Sequence, residues 1–142
     1  MGRYTFLDDI ALADCAMEVE GKDLDDLFET AAAALAELMV EPASVALTVE
    51  RAIAIEAPQV DLLLYDWLSE LIYRQDRDRE VFPRVTARVS GTGPFHLAAT
   101  ARGGLIDPER TGLRADAKAV TFHQFAVVPV DGAWRARIVI DI

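Results

Sequence analysis

The sequence predicts one α+β domain over residues 1–142, with two helices packed on a mostly antiparallel or mixed β-sheet. Three observations predict it. Two segments repeat their apolar residues at three- and four-residue steps, the period of a helix with one buried face. Most of the remaining chain alternates with the period of two expected of strands. Two turn signals, Gly91-Thr92-Gly93-Pro94 and Asp131-Gly132, lie between alternating runs and mark hairpins. A length of 142 residues suits a single domain, and a hydrophobic content of 52% excludes a disordered chain.

The first strand is read at Tyr4 to Leu7, followed by the acidic segment Asp8 to Asp14. Cys15 to Glu20 alternates weakly and reads as a second strand, ended by Gly21. Asp23 then caps a helix, with Asp25 and Asp26 in its first turn, where negative charge suits the helix dipole. Leu24, Leu27, Phe28, Ala31, Leu35, Leu38 and Met39 form its apolar face, and Pro42 lies just past its end. Val45, Leu47, Val49, Ile53 and Ile55 all fall on odd positions, which predicts one long strand that ends before Pro58. A second helix is expected from about Val60 to Arg74, burying Leu63, Leu64, Trp67, Leu68, Leu71 and Ile72. The all-polar Gln75 to Glu80 reads as a loop. The hairpin strands Val81–Ser90 and Phe95–Ala101 follow, then an irregular stretch from Leu105 to Asp116. Ala119–Pro129 and Trp134–Ile140 flank the Asp131-Gly132 turn.

Charge narrows the function. Twenty-four acids against fourteen bases leave a net charge of −10, which repels nucleic acid at long range; no direct nucleic-acid binding is expected, although a local basic patch stays possible. The acids crowd into residues 1–80, whereas residues 81–142 are net basic, so the fold can separate an acidic from a basic face. No apolar run is long enough to span a membrane, and the start lacks the apolar stretch of a signal peptide. The lone Cys15 precludes an internal disulfide; it reads as a small buried side chain, and a cytoplasmic setting is expected.

Phosphate-binding glycine loops, dinucleotide fingerprints and nucleophile elbows are absent, and one Cys with two His is poor material for a soft-metal site. Three places keep chemical interest. Asp8, Asp9 and Asp14 cluster around the first inter-strand segment. Asp141 stands beside the terminal Ile142, and two negative groups at one spot suit Ca2+, Mg2+ or Mn2+. In Lys118-Ala119-Val120-Thr121-Phe122-His123, Thr121 and His123 share strand parity and should face the same way, opposite Lys118.

Four segments together resemble the archease family. They are Asp14, Gly21, Leu24 and Leu27-Phe28 with Ala31-Ala32; then Leu62-Leu63, Trp67-Leu68, Glu70-Leu71 and Tyr73; then Lys118 to His123; and last Asp141-Ile142 after a strand containing Trp134. In order and spacing they span nearly the whole chain. The resemblance implies a protein cofactor, not an enzyme: an activator of the RtcB-type RNA ligase of tRNA splicing and RNA repair, which promotes guanylylation and multiple turnover of that ligase. It also implies a divalent-metal site at Asp14, Asp141 and Ile142, which requires the strand after Asp14 and the final strand to be neighbours. The chain departs from the family at Ala11-Leu12-Ala13-Asp14, where the family has His-Thr-Ala-Asp, and at Gly104, where it has Glu. Two alternatives stand beside this reading. One is a metal-dependent enzyme acting on phosphoryl groups, with His123 as base and Lys118 as charge stabiliser. The other is a metal-free interaction or chaperone-like module.

Overall fold

The structure, a computed structural model, describes residues 2–7 and 14–142. Its elements run β1 (Arg3–Leu7), β2 (Asp14–Gly21), α1 (Leu24–Met39), a 3-10 turn (Pro42–Ser44), β3 (Val49–Ala57), α2 (Val60–Asp78), β4 (Glu80–Gly91), β5 (Phe95–Leu105), β6 (Ala119–Val130) and β7 (Ala133–Asp141). This is the α+β class and the element order that the periodicities predict. The strands divide into two antiparallel sheets, a four-stranded one in the order β1-β2-β7-β6 and a three-stranded one in the order β3-β5-β4.

Both helices pack against strands of both sheets. One core results: Met17, Val19, Ile138 and Ile140 from the larger sheet meet Ile53, Leu97 and Ala101 from the smaller through Phe28, Leu35, Leu64, Trp67 and Leu68. The fully buried Trp67 donates its indole N–H to the Phe28 carbonyl at 3.1 Å and so ties α2 to α1. As predicted, Asp23 caps α1, accepting the Asp26 N–H at 2.8 Å. Further along α1, Asp25 accepts the Val89 N–H at 2.7 Å and Glu29 accepts the Ala87 N–H at 2.8 Å. These two carboxylates, one helical turn apart, satisfy donors of β4, an edge strand of the smaller sheet. Both hairpins form where expected, and the Asp131-Gly132 turn takes the positive φ values, 52° and 81°, that such a two-residue turn requires.

Three predicted boundaries change, one of them that of β5, which runs on to Leu105 rather than ending at Ala101. The long strand begins at Val49 rather than Val45. Val45 is buried beyond the 3-10 turn, Leu47 is exposed, and β5 pairs with this segment only from Val49 opposite Gly103. Alternation alone does not make a strand where no partner lies alongside. The second helix runs through the predicted polar loop to Asp78. Gln75 is buried there, the Arg77 guanidinium lies 4.7 Å from the centre of the Tyr73 ring one turn back, and Arg79 ends the helix in the left-handed region.

Candidate functional site

Alternation gives β2 two unlike faces. Met17 and Val19 point into the core, while Asp14, Ala16, Glu18 and Glu20 lie on the outer face. The register with β7 then decides which charges meet. Glu20 opposes Arg135 and, on the other side, Arg3; Glu18 opposes Arg137; Asp14 opposes Asp141. At the Glu20 end the charges match: its carboxylate pairs with Arg3 and lies 3.1 Å from Arg135. The Arg3 guanidinium first, and Arg135 after it, hold the Glu20 carboxyl below the usual carboxylate range.

At the other end two aspartates face each other across the ladder, both half-buried. Directly opposed residues bring their Cβ atoms to about 5 Å, and like charges so placed are destabilising. Neither carboxylate makes a hydrogen bond or an ion pair to a described residue. Asp141 also opposes Ala119 of β6, and its backbone carbonyl accepts the Lys118 N–H at 2.7 Å. Thr121 lies on this outer face opposite Val139, with its Oγ1 buried and lacking a hydrogen-bond partner among the described residues. Thr121 lies one row in from two facing carboxylates that have no described partner, and oxygen donors of this kind suit a hard cation. The half-buried Ile142 packs on the core immediately after Asp141. Among the described residues no three His, Cys, Asp or Glu side chains converge as a metal-binding group. Asp8 and Asp9, like Ala11 to Ala13, lie outside the described residues.

The structure brings together Asp14, Asp141, Thr121 and the backbone of Lys118, but it separates the other members of the Lys118–His123 segment. The Lys118 side chain borders a groove of about 310 Å3 between α2 and residues 116–120, alongside Tyr65, Ser69 and Tyr73. The parity argument fails beyond Thr121. Thr121 pairs with Val139 and Ala126 with Arg137, so residues 122–125 stand against Ile138 alone, and Gln124 takes a φ of 57°. The exposed His123 therefore sits in a looped-out part of the strand, where alternation no longer says which way a side chain faces. Cys15 is half-buried rather than fully buried. Burial pushes its thiol up, the direction that makes it a poorer nucleophile.

Sequence reasoning missed two features. An ideal Cβ on Gly104 would lie 2.2 Å from the Ala46 carbonyl oxygen, so this backbone path has no room for the side chain that the family pattern carries there. The looped-out segment also presents Phe122, 60% exposed, stacked on Tyr65 of α2. The only signal for it was two phenylalanines three residues apart, out of step with the strand.

Fold and site together define a small two-sheet α+β domain with an oxygen-donor row at one end of its larger sheet. A solution structure from Methanobacterium thermoautotrophicum shares this fold with a TM-score of 0.80 at 33% identity, over 98% of each chain. A crystal structure of a Thermotoga maritima archease, described as a possible chaperone, shares the fold with a TM-score of 0.65 at 18% identity, over 97% of this chain and 98% of that one. In sequence the chain is 34% identical to protein archease of Methanothermobacter thermautotrophicus over the whole of both chains, and 32% identical to that of Archaeoglobus fulgidus over 99% of each. The model of the archease protein family matches residues 4–142, and the chain belongs to that family. No helix among the described residues is long and apolar enough to cross a membrane.

Proposed function

We propose that this archease is a protein cofactor that activates an RtcB-type RNA ligase, promoting its guanylylation and multiple turnover in tRNA splicing or RNA repair in the cytoplasm. Family membership supports the activator role. The observation that carries the site is the register itself, which sets Asp14 directly opposite Asp141 without a base between them. The two carboxylates and the backbone oxygen of Ile142 would hold a divalent cation, Ca2+ or alternatively Mg2+ or Mn2+. Such an ion supplies positive charge for phosphate oxygens. The chain's own contribution is to hold two acidic side chains on a rigid ladder, at a separation fixed by strand pairing. A net charge of −10 also favours approach to a cleft lined with cationic groups.

The test is multiple-turnover RNA ligation by the cognate ligase with and without this protein. The wild type should raise turnover, and Asp14→Asn and Asp141→Asn should each lower that activation by about tenfold or more while remaining folded. Full activation by both variants would remove the metal site from the proposal. Calorimetry with Ca2+, Mg2+ and Mn2+ on the same variants separates loss of the ion from loss of docking. If the wild type binds no cation and still activates, the metal-free interaction module is the better description.

A further inference from the structure

We infer that Phe122, braced by Tyr65, is the apolar anchor by which this protein docks on its protein partner, seating in an apolar socket rimmed by cationic side chains. The inference rests on the activator reading above and names the docking contact it requires.

The looped-out segment of β6 is the first observation. β6 is an edge strand of the larger sheet, and its slip between Thr121 and Ala126 re-aims residues 122–125 away from the ladder. The second is how the released rings are held. The Phe122 and Tyr65 rings lie 4.0 Å apart at 6° between planes, and Phe125 meets Tyr65 and Phe122 edge-on at 5.9 and 6.3 Å. Phe122 nonetheless leaves 60% of its surface in water. A lone exposed apolar side chain needs no explanation. A ring exposed yet already fixed against two others is different. It loses little rotamer freedom on binding, which is the property of aromatic hot spots.

The third observation is the electrostatic setting, which selects the partner's chemistry. Phe122 follows Thr121, which shares the outer face with the opposed Asp14 and Asp141. On the helix side, Asp76 and Asp116 line the groove beside Tyr65 together with Lys118; Arg77 lies over Tyr73 but is paired with Asp78, and Arg137 donates to Gln124 of the looped-out segment. Among the described residues the elements around the aromatic anchor thus set Asp14, Asp141, Asp76 and Asp116 against Lys118 and Arg137, an excess of acid. The complementary surface is an apolar pocket bordered by Arg or Lys. A bulge can also serve only to blunt an edge strand against aggregation, and that purpose needs no exposed ring stack.

The experiment measures equilibrium binding of the full chain to the cognate RtcB-type ligase. It compares wild type, Phe122→Ala, and Leu105→Ala as a control with the same 60% exposure elsewhere on the surface. Phe122→Ala should weaken the Kd at least tenfold and leave cation binding unchanged, while Leu105→Ala stays within twofold of wild type. Added salt should slow association of the wild type. If Phe122→Ala melts well below the wild type, Phe122→Leu is read in its place, with a severalfold loss expected. Wild-type affinity in the folded Phe122 variant overturns the anchor. Equal weakening by Leu105→Ala overturns its specificity. A wild type that activates while Phe122→Ala activates as well removes the anchor alone. A wild type that neither binds nor activates the ligase removes the activator reading and this partner with it.

Discussion

Each end of the β2–β7 ladder sets an acid of β2 opposite a charged residue of β7, and the two ends resolve their charges in opposite ways. At one end Glu20 sits between Arg3 and Arg135, and each neighbour satisfies it. At the other, on the same face of the same strand, Asp14 meets Asp141. The first end is what a stability-driven surface looks like. The second sets two acids opposite each other with no described base to pair with, an arrangement that folding alone would not favour. A third group sharpens the contrast: Asp25 and Glu29 are acids whose oxygens are committed to the backbone N–H groups of β4. Acid content alone therefore says little. What distinguishes the candidate site is a carboxylate pair with no donor among the described residues.

That contrast can be tested by breaking each kind of carboxylate in turn. The largest effect is expected at the committed pair. Asp25→Ala with Glu29→Ala leaves two edge-strand donors without their charged acceptors and should cost about 3–4 kcal/mol, read from the denaturant midpoint. A cost below about 1 kcal/mol would mean that water replaces both bonds. Asp141→Arg at the opposed pair should do the reverse for stability, raising it by about 0.5–1 kcal/mol as repulsion becomes attraction, while abolishing ligase activation. A destabilised Asp141→Arg would show that the aspartates serve the fold. The smallest effect belongs to Glu20, whose carboxylate is partly open to solvent. Its folded carboxyl is held below its unfolded value, so its contribution is present above the ordinary carboxylate range and is lost as pH falls through the lowered folded value. An NMR titration should find Glu20 shifted down in the wild type and closer to its ordinary value in Arg3→Ala. High salt should shrink the difference.

Much of the fold was legible because local chemistry and tertiary structure agreed. Asp23 caps its helix from sequence and in space, and the Asp131-Gly132 turn takes the backbone angles that its residues favour. The misreadings came where a neighbour decides. Val45 and Leu47 alternate like a strand but have no strand beside them. Gln75 to Asp78 look like a loop until Gln75 is buried and Arg77 lies over Tyr73. The candidate site was half legible. Asp14 and Asp141 stood out by family resemblance, and the residues themselves offered only two acidic spots 127 positions apart. The expected common face of Thr121 and His123 dissolved because residues 122–125 leave the ladder, an event set by packing against α2 that no period of two can announce.

By itself, then, the sequence determined the class, the order of the elements, the N-cap of α1 and the hairpin turns, because each depends on residues within a few positions of one another. Only the tertiary structure decided how the strands divide into two sheets, that Asp14 stands across from Asp141, that α1 spends Asp25 and Glu29 on β4, and that Phe122 leaves the ladder to rest on Tyr65. Each of these is a pairing between distant segments. Strand register is chosen by the fit of whole faces in the core, and a shift of one residue would turn Asp14 inward and leave no site at all.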